Sequence, residues 1–478
     1  MSELNSKYNK YHIRTGAFLI SSVLLLQGCA SPIPIPQMQD AEQAQTAPVP
    51  VVAVASLGMG EDISYSYIPQ QPSIITDRVG YLPTAKKVIY MEEIEPDREF
   101  SIIDTSSDEI VYVGHLHKIS DDKVKEGEKA VYIGDFSEFS TEGSYRVFQP
   151  DVGYSYEFDI GKNGYHEIYE AAYKTITEAE YIQTSALIYT LSNLMLTREI
   201  YTSANSNDGF ISGGINLLLT QQHPRTGAVY QELQTADTLA LIEQELNNPA
   251  NATIQTDSMV SLAATAELAG VLAQYYCDFY EDDQATAVAA LRAAGKAYNY
   301  VDRFKDSVPS DSLYYAACEL YRATGQFRYK QAISDYDMIP EQTRTCSDYN
   351  YTMLADVAYL SSNYKTDYIR CETLMAGYSD KASDISKAST KQTYYVQDDI
   401  EELSEDAILY NMMTLGLVSY VLSGREYASV QSNYLHYLFG INANKTNYYT
   451  EPMEEGGKPL NTDIVRLSKL IFILANRE

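Results

Sequence analysis

Thr177-Glu-Ala-Glu-Tyr181-Ile-Gln-Thr-Ser-Ala-Leu-Ile-Tyr-Thr-Leu-Ser-Asn-Leu-Met-Leu196 decides how the chain is read. Two carboxylates open the stretch, and no glycine or proline interrupts it. Apolar side chains recur at Leu187, Leu191, Leu194 and Met195, a spacing that puts one buried stripe on a helix. The same period returns downstream over Ile215–Gln222, Ser258–Tyr280, Asp283–Phe304, Ser312–Thr324 and Arg328–Tyr336. It continues over Asn350–Asn363, Asp367–Met375, Glu405–Leu422, Tyr427–Phe439 and Asp463–Ala475. With Tyr165–Ile176 and Glu180–Ile200 this predicts about twelve antiparallel helices, as a six-hairpin α/α barrel needs; other α/α toroids fit the same pattern.

Upstream, from Ile74 to about Ile160, short alternating runs replace the helical period. Lys87–Met91, Phe100–Ile103, Ile110–Val113, Ala130–Ile133, Gly143–Val147 and Tyr154–Phe158 belong to a series of roughly seven strands, which predicts a β-sandwich. The expected domains are therefore a sandwich over 74–161 and a helical barrel over 162–478.

The amino terminus reads as an export signal. Lys7, Lys10 and Arg14 precede an apolar run from Ala17 to Leu26, which ends in Leu26-Gln27-Gly28-Cys29. The run is too short for a permanent span, which needs about 20 apolar residues. The ending resembles a bacterial lipobox, with Cys29 as the lipidated first residue of the mature chain; an ordinary signal peptide with an incidental cysteine is the alternative. Residues 1–28 are then the signal peptide and 29–73, rich in Pro, Gln and Ala, a tether. The expected location is the bacterial cell envelope, with the protein held on a membrane through Cys29.

Composition narrows the partners. A net charge of −30 argues against nucleic acid as a partner, because phosphate binding needs clustered Lys and Arg. There are 43 tyrosines and no tryptophan, so any stacking on sugar rings falls to Tyr. The cysteines after Cys29 (Cys277, Cys318, Cys346 and Cys371) show no zinc spacing. Cys277 and Cys318 read as packing residues, and disulfide pairing stays open. No cofactor motif or metal pattern is present, and Glu281–Asp283 and Asp398–Glu402 read as exposed loop acids.

Several segments taken together resemble glycoside hydrolase family 9, the cellulase family, with its N-terminal immunoglobulin-like module. In the sandwich these are Val79-Gly-Tyr-Leu-Pro83 followed by Lys86-Lys87, then Asp135-Phe-Ser-Glu-Phe139 and Gly143-Ser-Tyr-Arg146. In the helical part they are Leu217–Gln222 with Gly227-Ala-Val-Tyr230, Ala264–Gln274, the helix Leu313–Gly325 with its glycine stop, and Tyr437-Leu-Phe-Gly-Ile-Asn442. The resemblance implies an immunoglobulin-like sandwich that braces a six-hairpin α/α barrel, and a polysaccharide or oligosaccharide ligand. It also implies that the aromatic residues of the sandwich are core and not a sugar platform.

The same resemblance locates the chemistry. An inverting glycosidase needs one carboxylate to activate water and one carboxylic acid to protonate the leaving oxygen. Where the family has an Asp-Ala-Gly-Asp-Tyr base loop, this chain has Glu178-Ala-Glu-Tyr181, one residue shorter. Where the family has its acid Glu before the last helix, the chain has Asn461, and Asp463 is the nearest carboxyl. Residues 443–460 contain no His or Arg, so the family's sugar-gripping cluster is missing. Glu178, Glu180 and Asp463 are the candidate catalytic residues. Their bland readings are two solvated acids at a helix start and a helix-start acid with Thr462 as cap. The expectation is a family-9 shape that has lost catalysis and binds a glycan or protein. The alternatives are an active inverting hydrolase of β-glucan or oligosaccharide with rearranged carboxylates, or a structural envelope protein.

Overall fold

The computed structural model describes residues 72–92, 99–120, 130–201, 207–246, 260–336, 349–397, 405–422, 426–449 and 462–475. The signal, Cys29, nearly all of the tether, Cys346, Asp398–Glu402 and Asn461 lie outside the described residues. Among the described residues no helix is long and apolar enough to cross a membrane.

Eight antiparallel strands form the first domain: β1 (Ile74–Ile75), β2 (Val88–Glu92), β3 (Glu99–Asp104), β4 (Ile110–Lys118), β5 (Val131–Asp135), β6 (Gly143–Gln149), β7 (Gly153–Tyr154) and β8 (Phe158–Ile160). Their order is β1-β2-β5-β4-β3-β6-β7, with β8 also on β6. Strand β4 joins the two layers: Ile110–His115 pair with β3, and Leu116–Lys118 pair with β5. Between the layers lie Tyr81, Ile89, Met91, Phe100, Ile102, Leu116, Phe136, Tyr145, Val147 and Phe158.

Strand β2 is buried on both faces, which is why Val88–Met91 reads as a continuous apolar run. Its outer residues Val88 and Tyr90, with Ile75, Ile119 and Val131, pack on Ile441 of the helical domain. The outer face of the other layer is solvated. There the expectation that sandwich aromatics are core fails: Phe148 is half-buried and Tyr154 is exposed; Tyr156, between β7 and β8 and beside Arg78, is exposed as well.

Thirteen helices follow among the described residues. They are α1 (His166–Glu178), α2 (Thr184–Ile200), α3 (Asp208–Gln221), α4 (Ala236–Leu246), α5 (Leu262–Phe279), α6 (Gln284–Val301) and α7 (Ser310–Thr324). Then come α8 (Phe327–Asp335), α9 (Tyr351–Leu360), α10 (Tyr368–Ser389), α11 (Glu405–Leu422), α12 (Ala428–Leu438) and α13 (Ile464–Ala475). Helix α4 was not expected, and α10 runs well beyond the predicted Met375.

Burial sorts the helices into two rings. Every residue from Leu187 to Thr197 of α2 is buried, as is every residue from Ala264 to Tyr275 of α5 and from Tyr314 to Tyr321 of α7. Such helices have no solvent face and form the inner ring with α9, α11 and α13. Helix α1 buries only Ile168, Tyr169, Ala172 and Ile176, the single stripe of an outer helix. The one-faced reading of α2 is thus corrected: its Ser, Thr and Asn positions are buried too. They are tolerated because they are hydrogen-bonded. Asn193 Nδ2 donates to Ser468 Oγ (3.0 Å), Ser192 Oγ pairs with Tyr315 OH (2.9 Å), and Tyr315 OH donates to Gln274 Oε1 (2.8 Å).

Much of the tyrosine excess goes into this interior, since Tyr189, Tyr275, Tyr315, Tyr351, Tyr359 and Tyr434 are among the largest fully buried side chains. Close helix approach makes room for them. A Cβ at Gly270 of α5 would lie 2.3 Å from the Tyr315 ring of α7. Gly325 ends α7 in the left-handed conformation (φ 66°), its N–H donating to Tyr321 O (2.8 Å), as the predicted glycine stop requires.

Candidate functional site

The N-termini of the inner helices converge at one end of the barrel. Glu267, one turn into α5, accepts hydrogen bonds from Ser185 Oγ at the start of α2 and from Ser312 Oγ (3.2 Å) at the start of α7. Tyr351, opening α9, also faces it. Burial pushes the Glu267 carboxyl up, and the hydroxyls of Ser185 and Ser312 offset this in part. Tyr351 stands in an aromatic group with Tyr189 (5.3 Å between centroids), Tyr315 (5.2 Å) and Tyr349 (6.2 Å).

Beyond Tyr189 the site becomes ionic. Lys469 Nζ of α13 lies 5.8 Å over the Tyr189 ring and 3.5 Å from Asp406 Oδ1. Arg466 binds both acids that open α11: its Nη1 contacts Glu405 Oε2 and its Nη2 lies 2.6 Å from Asp406 Oδ2. The two acids titrate in opposite senses. Burial raises Glu405 to about 7, Arg466 offsets part of this, and Asp406 and Asp463 add to it. Burial acts to raise Asp406 too, but Arg466 and Lys469 together hold it below the usual carboxylate range.

Of the three predicted acids, Glu178 and Glu180 do not converge with this group, while Asp463 lies near enough to raise Glu405. Glu178 is the last residue of α1, not the start of a helix, and its exposed carboxylate lies 4.0 Å from Lys174 Nζ. Glu180 is exposed in the connection to α2, which begins only at Thr184. Tyr181 turns inward and donates from its hydroxyl to Ile176 O (3.1 Å). Asp463 is itself the cap of α13, which corrects the assignment to Thr462: Oδ1 accepts from Val465 N (3.1 Å) and Arg466 N (3.2 Å).

Sequence reading missed Glu267 and Glu405. Glu267 carried a legible signal, as a lone carboxylate inside the apolar run Ala264–Ala273. Glu405 carried none, because its partner Arg466 lies 61 residues away along the chain. Cys318 is buried as expected, while Cys277 is only half-buried; both are free thiols, as is Cys371. Of the predicted loop acids, Glu281 and Asp282 are exposed, with Asp282 paired to Arg198 (2.7 Å), while Asp283 caps α6.

A second charged group closes the opposite end, where α2, α5 and α7 finish. Arg322 lies 3.0 Å from both Glu199 Oε2 and Asp278 Oδ1, and 3.5 Å from Glu319 Oε2. Burial raises Asp278 to about 7, with Glu199 adding and Arg322 opposing. Burial raises Glu319 to about 8, against Arg322. Both acids therefore hold protons in the folded chain that the unfolded chain releases near pH 4. Stability from these groups is complete below that value and is lost as pH rises to about 8. The thermal midpoint should fall between pH 5 and pH 8, and Glu319→Gln should flatten the fall. Equal slopes in both proteins would refute this assignment.

An immunoglobulin-like sandwich braced on a six-hairpin α/α barrel defines the class of protein. Two family models match the chain in that order. The cellulase N-terminal Ig-like domain covers residues 69–153, and glycosyl hydrolase family 9 covers residues 167–459. The chain belongs to glycosyl hydrolase family 9.

Solved structures share the fold at low identity. A metagenome-derived family 9 endoglucanase superposes with a TM-score of 0.68 at 17% identity, over 84% of this chain and 98% of that one. A family 9 protein of Bacteroides ovatus gives 0.64 at 15%, over 84% and 99%. A thermostable endoglucanase of Alicyclobacillus acidocaldarius gives 0.66 at 16%, over 84% and 99%. No curated protein matches.

Proposed function

We propose that this chain is an envelope lipoprotein, anchored through Cys29, that keeps the family 9 shape, has lost hydrolysis, and binds a glycan in the barrel. One observation carries the reading: the carboxylate nearest the family's acid position, Asp463, is consumed by the amides of its own helix. A carboxylate that caps its helix is not placed to protonate a leaving oxygen. Glu178 and Glu180 lie in solvent, which supports the same reading.

Incubation of the purified full chain with a panel of β-glucans and oligosaccharides, scored together for binding and for reducing ends, tests it. The expected result is binding without cleavage. Cleavage that Glu180→Gln abolishes would replace this reading with an active enzyme.

A second reading, hydrolysis by a rearranged site, draws on Glu405 and Glu267. Both are buried carboxyls raised toward the protonated form, the property a general acid needs. It predicts reducing ends that disappear in Glu405→Gln.

A further inference from the structure

We propose that the solvated face of the sandwich is a second glycan surface, taking a neutral β-linked glucan chain across β4, β3, β6 and β7. This rests on the glycan-binding reading above and places part of the binding outside the barrel. The strand registers set Val113 opposite Ser101, Ser101 opposite Phe148, and Phe148 opposite Tyr154, so the four side chains form one row on one face. Val113 and Tyr154 are 49% and 48% exposed, and Ile110, opposite Ile103 in the next row, extends the apolar area at 60%. A contiguous apolar patch of this kind marks an interaction surface, unlike scattered single residues.

The aromatic part is already ordered. Phe148 and Tyr154 have centroids 4.7 Å apart, and the Arg146 guanidinium lies 4.5 Å from the Tyr154 centroid. Arg146 is in turn fixed by Asp108 at 2.5 Å. Rings held in place before the ligand arrives lose little side-chain entropy on binding. The C–H face of a pyranose carries slight positive charge and complements the negative face of an aromatic ring.

Charge selects the occupant. Asp108 matches Arg146 beside the rings, in a chain of net charge −30. A neutral polysaccharide meets no repulsion there, whereas a second copy would bring another −30 towards it.

Native electrophoresis of the purified full chain through gels containing soluble mixed-linkage β-glucan tests the assignment, with the thermal midpoint and sedimentation measured in parallel. The wild type should be retarded. Tyr154→Ala should weaken the apparent affinity roughly tenfold with an unchanged midpoint, as expected for loss of an aromatic anchor. Ser101→Lys, which sets a charge in the middle of the row and removes no ring, should do the same. Retardation of both variants equal to wild type overturns this surface and leaves glycan binding in the barrel standing. A wild type that is not retarded overturns both readings. If that protein also sediments as a dimer and Tyr154→Ala as a monomer, the face belongs to a second copy.

Discussion

Arg322→Met should be the most damaging single change in the barrel, lowering stability by about 3–5 kcal/mol. The guanidinium is buried between Glu199, Asp278 and Glu319, which come from the ends of three inner helices. Methionine fills most of the volume but leaves the three acids without their shared cation. They must then take up protons or draw in water, and either response loosens the ends of α2, α5 and α7. Chemical denaturation at pH 8 should show the full loss. At pH 5, where Asp278 and Glu319 are protonated, the loss should be smaller. Equal losses at the two pH values would mean that Arg322 acts by packing alone.

His436→Ala should cost a similar amount, about 3–5 kcal/mol, and should act where the two domains meet. His436 of α12 is buried, with Nδ1 2.7 Å from Asp77 Oδ2 of the sandwich and Nε2 2.9 Å from Lys86 O. The carbonyl requires a hydrogen on Nε2, and a second hydrogen lies between Nδ1 and the carboxylate. Asp77 is further held by the Val79 and Gly80 amides at 2.9 and 3.2 Å. Burial raises its carboxyl, and His436 is the strongest opposing influence. Without the imidazole, a buried acid faces an empty space. Calorimetry should show one transition in the wild type and two in the variant, as the sandwich detaches from the barrel. His436→Gln, which can still donate to Asp77, should recover part of the loss. A single unshifted transition in His436→Ala would rule out this coupling.

Two of the motifs that carry the family resemblance meet at this joint. Val79-Gly-Tyr-Leu-Pro83 wraps Asp77: the Asp77 amide donates to Tyr81 OH (2.9 Å), and that hydroxyl donates to Val88 O (2.8 Å). Gly80 is needed at φ 125°, where a Cβ would stand 2.5 Å from Asp159 O. Lys87 buries its ammonium among the carbonyls of Pro83 (2.7 Å), Ala85 (3.1 Å) and Ser137 (3.2 Å). On the other side, Gly440 of the Tyr437–Asn442 motif closes against Arg78 at φ 124°, and Ile441 enters the sandwich face. These residues were legible because backbone geometry dictates them locally. Their shared purpose was not, because they stand about 350 positions apart.

By itself the sequence determined the order of domains, the helical period of the barrel, the glycine stop after α7 and the family to which the chain belongs. Those features follow from neighbours along the chain: side-chain spacing, turn chemistry and local motifs. The tertiary structure alone decided which helices are inner, because a helix buried on every side loses the polar stripe that period reading depends on. It decided that Asp463 caps its own helix and that Glu267 and Glu405 are the buried acids at the barrel mouth. It also decided that Phe148 and Tyr154 face solvent. Strand alternation assigns a residue to one of two faces, and only packing against another domain determines which face is covered.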